Sequence, residues 1–181
     1  MTRFVVFLRG INVGGHFVKK EKLQEAFTAL GFRNVAVYKQ SGNVILDSDS
    51  DNTEQIKTKI EQKLQATLGY QITVSMRTTQ QLKDLIHSEP FRSKPSKGTS
   101  FLVTLLPNQA PSSFVAQLPL TIPKSTARVI SARDMEVFSV THGGGEGALP
   151  NPFVESKLKV KATTRNLNVI REIVEKFNPQ E

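Results

Sequence analysis

Short apolar runs alternate with stretches of helical period along the first half of the chain. Residues 3–9, RFVVFLR, are β-branched and aromatic and read as a buried strand. KKEKLQEAFTALGF follows, with Leu23, Ala26, Phe27 and Leu30 at helical spacing and Gly31 where a helix C-cap glycine belongs. NVAVYKQSGNVILDS reads as two short strands, with Ser41-Gly42-Asn43 as the hairpin signal between them. In TEQIKTKIEQKLQATLGY, Ile56, Ile60, Leu64 and Leu68 form one stripe and Gly69 is the stop. QITVSM is a fourth strand. The order through residue 76 is therefore βαββαβ, with both crossover helices on one face of an antiparallel sheet, the ferredoxin-like pattern.

The second half is more broken. TTQQLKDLIHS reads as a short helix starting from a Thr cap, and EPFRSKPSKG as a link. Strands are expected at 100–106, near 127–131 and at 135–141. A proline-punctuated stretch fills 107–123, and a glycine turn, HGGGEG, follows the last strand. Two helical segments close the chain. In the last, TRNLNVIREIVEKF, Leu167, Ile170, Ile173, Val174 and Phe177 share a side. The fold class is α+β in two subdomains, the second a smaller antiparallel sheet with helices. The divisions are 1–76, a helix and linker over 77–99, and 100–181.

The loop after the first strand, LRGINVGGHFVKK, raises the question of phosphate binding. Gly10 and Gly15 have the separation of a P-loop, but His16 and Phe17 stand where its lysine and its Ser/Thr belong. A G-x-G-x-x-G fingerprint fails at Asn12. The general feature left is a glycine-rich turn opening a helix, where backbone N–H groups favour anions. Lys19 and Lys20 near the first helix start, and Lys159, Lys161 and Arg165 near the last, oppose the helix dipole and suit an anion site. The competing reading is that these are solvated charges. Arg9, which ends the first strand, either joins an anion site or ties down loop carbonyls.

Charge sharpens this picture. With 24 Lys+Arg against 16 Asp+Glu the chain carries +8, which favours anionic partners such as nucleic acid or nucleotides. There is no cysteine, so disulfides, thiolate nucleophiles, zinc-thiolate sites and iron–sulfur clusters are excluded. No apolar stretch reaches the ~20 residues of a membrane span, and the start lacks a signal-peptide core, so a cytoplasmic location is expected.

Other motifs fail in detail. HGGG at 142–145 lacks a partnering G-x-S-x-G. His16, His87 and His142 are too scattered for a metal pair, and no metal site is expected. The run Asp47, Asp49, Asp51 lacks the glycine and closing glutamate of a calcium loop and reads as a solvated turn. The third strand, NVILDS, has no aromatic residue for an RNA-stacking platform. No nucleophile–base pair and no cofactor fingerprint is found, so no reaction and no cofactor is assigned.

LRGINVGG, YKQSGNV and ATTRN, in that order and spacing, resemble domain-of-unknown-function family 1697, small uncharacterised bacterial proteins. The resemblance runs over nearly the whole chain. It implies two α+β subdomains, the first ferredoxin-like, and supplies no activity. Leu167 and Val169 stand where the family commonly has an aromatic residue and a threonine, and 143–156 departs from its more compact form. The signature stretches are mostly polar and glycine. They make Arg9, Gly10, Asn12, Gly14, Gly15, Ser41, Gly42, Asn43, Thr164, Arg165 and Asn166 the candidate ligand-binding surface, expected to converge between the subdomains. Arg9 and Arg165 would hold an anionic group, and the three asparagines would orient a polar ligand. The readings rank as a small phosphorylated or nucleotide-like anion, a structural or protein-interaction module, nucleic acid on the basic surface, and an enzyme.

Overall fold

The computed structural model describes residues 1–39, 42–143 and 149–178. These divide into two compact units. The first is Met1–Lys83, joined by the chain from Phe177 onward; the second is Asp84–Lys176.

In the first unit, β1 (Thr2–Arg9), α1 (Lys20–Thr28), β2 (Arg33–Tyr38), β3 (Asn43–Ser48), α2 (Thr53–Leu68) and β4 (Thr73–Thr78) follow the expected βαββαβ order. The sheet is antiparallel in the order β2-β3-β1-β4. Leu23, Ala26 and Phe27 of α1 and Ile56, Ile60 and Leu64 of α2 pack with Phe4, Val6, Leu8, Val44 and Leu46 into one core. Val5, Phe7 and Ile45 on the other face are equally buried.

Helix α2 stops at its expected glycine, whereas α1 is capped at Ala29, in a right-handed conformation, two residues before the positive-φ Gly31. Gly69 takes a left-handed conformation after α2. Thr78 and Gln81 form a reciprocal capping box at the start of α3 (Thr79–His87), each side-chain oxygen accepting from the other's backbone N–H at 3.1 and 2.8 Å. The Asn52 side chain accepts from the Gln55 N–H at 3.0 Å and caps α2. Asn52→Ala is expected to cost about 1 kcal/mol, read as a lower urea midpoint with unchanged slope.

The second unit holds β5 (Thr99–Leu105), α4 (Ser112–Val115), β6 (Leu120–Thr121), β7 (Ala127–Arg133), β8 (Glu136–His142), α5 (Asn151–Leu158), β9 (Thr163–Asn166) and α6 (Leu167–Phe177). Its sheet is antiparallel in the order β6-β7-β8-β5-β9. It has five strands, so it is larger than the first sheet rather than smaller. Leu106, Phe114, Val129, Val137 and Val154 form a core on one side, and Leu167, Ile170 and Ile173 bury the apolar stripe of α6. No described helix is long and apolar enough to cross a membrane.

Two expectations fail. Thr163–Asn166 is an edge strand, not the start of the last helix. It pairs with β5 from Leu105↔Thr163 to Leu102↔Asn166, and the Thr104 and Thr164 hydroxyls bond across the pair at 2.8 Å. β-Branched Thr163 and Thr164 favour that pleated setting. Lys159 is likewise not at a helix start. It takes a left-handed conformation at the C-cap of α5, where a cation suits the dipole.

Of the acidic run, Asp49 and Asp51 lie in an exposed turn as expected, but Asp47 does not. Asp47 is buried opposite Arg3 in the β1–β3 register. It accepts from Arg3 Nε at 2.7 Å and Nη2 at 2.8 Å, and from Asn34 Nδ2 at 2.7 Å. The Arg3 hydrogen bonds hold its carboxyl below the usual range. Asp49 pairs with Arg33, and Asp51 accepts from the Thr2 hydroxyl.

Candidate functional site

The first two signature stretches meet at one end of the first sheet. Leu8 N–H donates to the Gly42 carbonyl at 2.8 Å, and Phe7 pairs with Asn43. Gly42 has φ +73, and a Cβ there would lie 2.5 Å from Ile11 Cγ2 and 3.0 Å from Leu8 Cβ. Glycine is required for this close approach. Ser41 lies outside the described residues.

The glycine loop is a held corner with an exposed tip. Asn12, at φ 55, donates its N–H to the His16 carbonyl at 2.8 Å, and its side-chain oxygen accepts from Val18 N–H at 2.8 Å. His16 N–H donates to the Val13 carbonyl and Phe17 N–H to the Gly15 carbonyl, both at 3.1 Å. The His16 ring lies 4.2 Å from that of Tyr70, whose hydroxyl burial pushes upward in pKa. Ile11 and Val18 are buried at the two ends. Between them Val13, Gly14 and Gly15 are exposed, and none of these bonds uses their N–H groups. Lys19, the N-cap of α1, makes no side-chain cap, and both it and Lys20 are exposed.

Several signature side chains hold the backbone instead of facing solvent. Asn43 is fully buried and donates to the Tyr38 carbonyl at 3.0 Å. In the second unit the Thr164 hydroxyl bonds Thr104, and the Asn166 side chain accepts from Asn168 N–H at 2.9 Å, turning β9 into α6. Arg165 donates from Nη1 to the Thr164 carbonyl at 2.9 Å, and burial pushes its guanidinium pKa down to about 10. Arg9, Gly10, Asn12, Gly14, Gly15, Gly42 and Asn43 thus gather in the first unit, and Thr164, Arg165 and Asn166 lie in the second.

One cluster has no motif to announce it. The stretch 89–95, read as a link, walls a pocket of about 260 Å³ together with Phe101, Leu167 and Arg171. Its sequence signal is composition alone, since Pro-Phe-Arg-Ser-Lys-Pro mixes an aromatic, two cations and two stiff residues.

No curated protein matches the chain. Among solved structures it resembles a conserved bacterial protein from Streptococcus pneumoniae, at 19% identity and a TM-score of 0.70 over 99% of each chain. That likeness extends the shared fold to both units. The profile of a family described as protein of unknown function, DUF1697, matches residues 1–138. The match stops short of the whole-chain extent expected. The remainder, 139–181, includes the ATTRN stretch. With the glycine loop, the hairpin turn and most of the fold inside the match, the chain belongs to the DUF1697 family.

Proposed function

We propose that the chain is a cytoplasmic binding module for a phosphorylated or nucleotide-like anion, and that the tip of the glycine loop is where it binds. The observation that carries this reading is the exposed Val13-Gly14-Gly15 turn, fixed from beneath by Asn12 and His16 and flanked by Lys19 and Lys20. Backbone N–H groups in a positive-φ turn favour negative charge. The loop is already held, so a ligand meets little ordering cost. Lys19 and Lys20 sit against the positive end of α1, at about 0.3–1 kcal/mol per charge, and an anion there relieves that opposition. Arg9 lies at the base of the same loop.

Thermal denaturation against nucleotides, phosphorylated metabolites, short RNA and short DNA, at low and high salt, tests the proposal. A ligand at a hundred times its dissociation constant should stabilise by about 2.7 kcal/mol. That shift should survive salt and be lost in Arg9→Ala and in Lys19→Ala/Lys20→Ala. A flat panel refutes the reading, and polyanion shifts that vanish with salt point to non-specific nucleic-acid binding.

The protein-interaction reading keeps one observation of its own. Val13 and Phe17 are 59% and 64% exposed on the same loop, and paired exposed apolar side chains of this kind mark contact surfaces.

A further inference from the structure

The stretch from Glu89 to Pro95 curls into the second unit between two rigid partners. Phe91 stacks on Phe101 of β5 with centroids 4.1 Å apart and planes at 9°, and meets Phe138 of β8 edge-on at 5.8 Å. Phe101 is only 8% exposed, so this stack fixes the segment to the sheet. Pro90 and Pro95 stiffen its two ends. Leu167 and Arg171, four residues apart on α6, present one face to the same space. The result is a cavity of about 260 Å³ whose apolar floor is Phe91 with Pro90 and Pro95; Phe101 and Leu167, also in its lining, are almost wholly buried. Arg92, Lys94 and Arg171 stand on its walls against one carboxylate, Glu89.

Cations scattered on a surface are usually solvated. These three instead line one concavity together with the ring of Phe91, and both halves of that arrangement constrain the ligand. The floor removes apolar area from water, and the guanidinium groups of Arg92 and Arg171 match the planar fork of a carboxylate or phosphate. Ligand sites are commonly built as apolar clefts with a few convergent polar groups.

We propose that this pocket is a binding site for a small organic oxyanion, a phosphate or carboxylate carrying a planar or aliphatic body. The body rests against Phe91 and the flanking prolines, and the charged end faces Arg171, Arg92 and Lys94. The site lies wholly within the second unit and stands independently of the glycine loop.

Calorimetric titration of the full chain with phenyl phosphate, inorganic phosphate and benzyl alcohol tests it. Phenyl phosphate should bind at least ten-fold more tightly than either fragment, because only it engages both floor and walls. Arg171→Gln and Arg92→Ala/Lys94→Ala should each weaken it ten-fold or more. Those side chains are exposed, so unchanged melting temperatures are expected to show the fold intact. Arg128→Gln, at an exposed cation outside the pocket lining, should leave phenyl phosphate binding unchanged, which separates this site from a general loss of positive charge. No binding, binding that both pocket variants leave unchanged, or inorganic phosphate binding as well as phenyl phosphate would each overturn the proposal.

Discussion

Replacing Asp47 by alanine is expected to destabilise the first unit by about 3 kcal/mol, a drop on the order of 10–20 °C in its melting temperature. Asp47 is buried and accepts three hydrogen bonds, two from Arg3 and one from Asn34. Its removal leaves the Arg3 guanidinium, itself only 22% exposed, facing an emptied site. Breaking one side of a buried pair costs more than the pair contributes net, because the remaining charge is desolvated without its partner. The pH dependence gives an independent check. Arg3 lowers the Asp47 pKa in the folded state relative to the ~3.9 of an unfolded aspartate. The stability linked to its charge is therefore fully present above about pH 4 and is lost as pH falls through the depressed folded value. Urea unfolding of wild type and Asp47→Asn should show a gap that is constant near neutrality and narrows below about pH 4. A gap that widens in acid would contradict the pairing.

The second large effect is expected at Gly42. Gly42→Ala must hold a Cβ at φ +73 and drive it to 2.5 Å from Ile11 Cγ2. Backbone strain in this region costs about 1–3 kcal/mol and overpacking a similar amount, so a loss of about 2–4 kcal/mol is expected. Ile11 is buried and β-branched and has few rotamers to yield with, while Leu8 closes the other side. Truncating the obstacle separates the two costs. Ile11→Ala in the Gly42→Ala background should be less harmful than the sum of the single changes. Strict additivity in that double-mutant cycle would show that the backbone conformation alone imposes the glycine.

The first unit was legible in the sequence because its elements are amphipathic and its contacts follow chain order. The stripes of α1 and α2 have helical spacing, Gly69 ends α2 as read, and Thr78 caps α3. Asp47 was misread because its partner lies 44 residues away, and only the β1–β3 register places the two opposite each other. The same reason explains Thr163–Asn166. A four-residue edge strand acquires its identity from a pairing with β5 some sixty residues earlier, which local propensity does not reveal. Polar residues of the signature stretches were read as a surface because core packing asks for apolar side chains. Asn12, Asn43 and Asn166 show the alternative, in which amide side chains hold tight turns where backbone groups lack partners. The pocket walled by residues 89–95 was invisible for the converse reason, since nothing periodic marks it.

Phe177 ends α6, yet it belongs with the first unit, where its carbonyl accepts from Arg3 Nη1 at 2.9 Å and its ring meets Tyr38 edge-on. The first unit is thus discontinuous, with the whole second unit spliced into it. On the ribosome β1, and Arg3 with it, is made more than 170 residues before this last contact arrives. Nascent chains gain their N-terminal structure first. Here that structure waits for its Phe177 contact until the second unit has been made. The final closure must also bridge a loop as long as the second unit, and folding that unit beforehand removes most of its chain entropy. Synthesis order and folding order therefore run in opposite senses at this seam, and the part begun first is the part completed last.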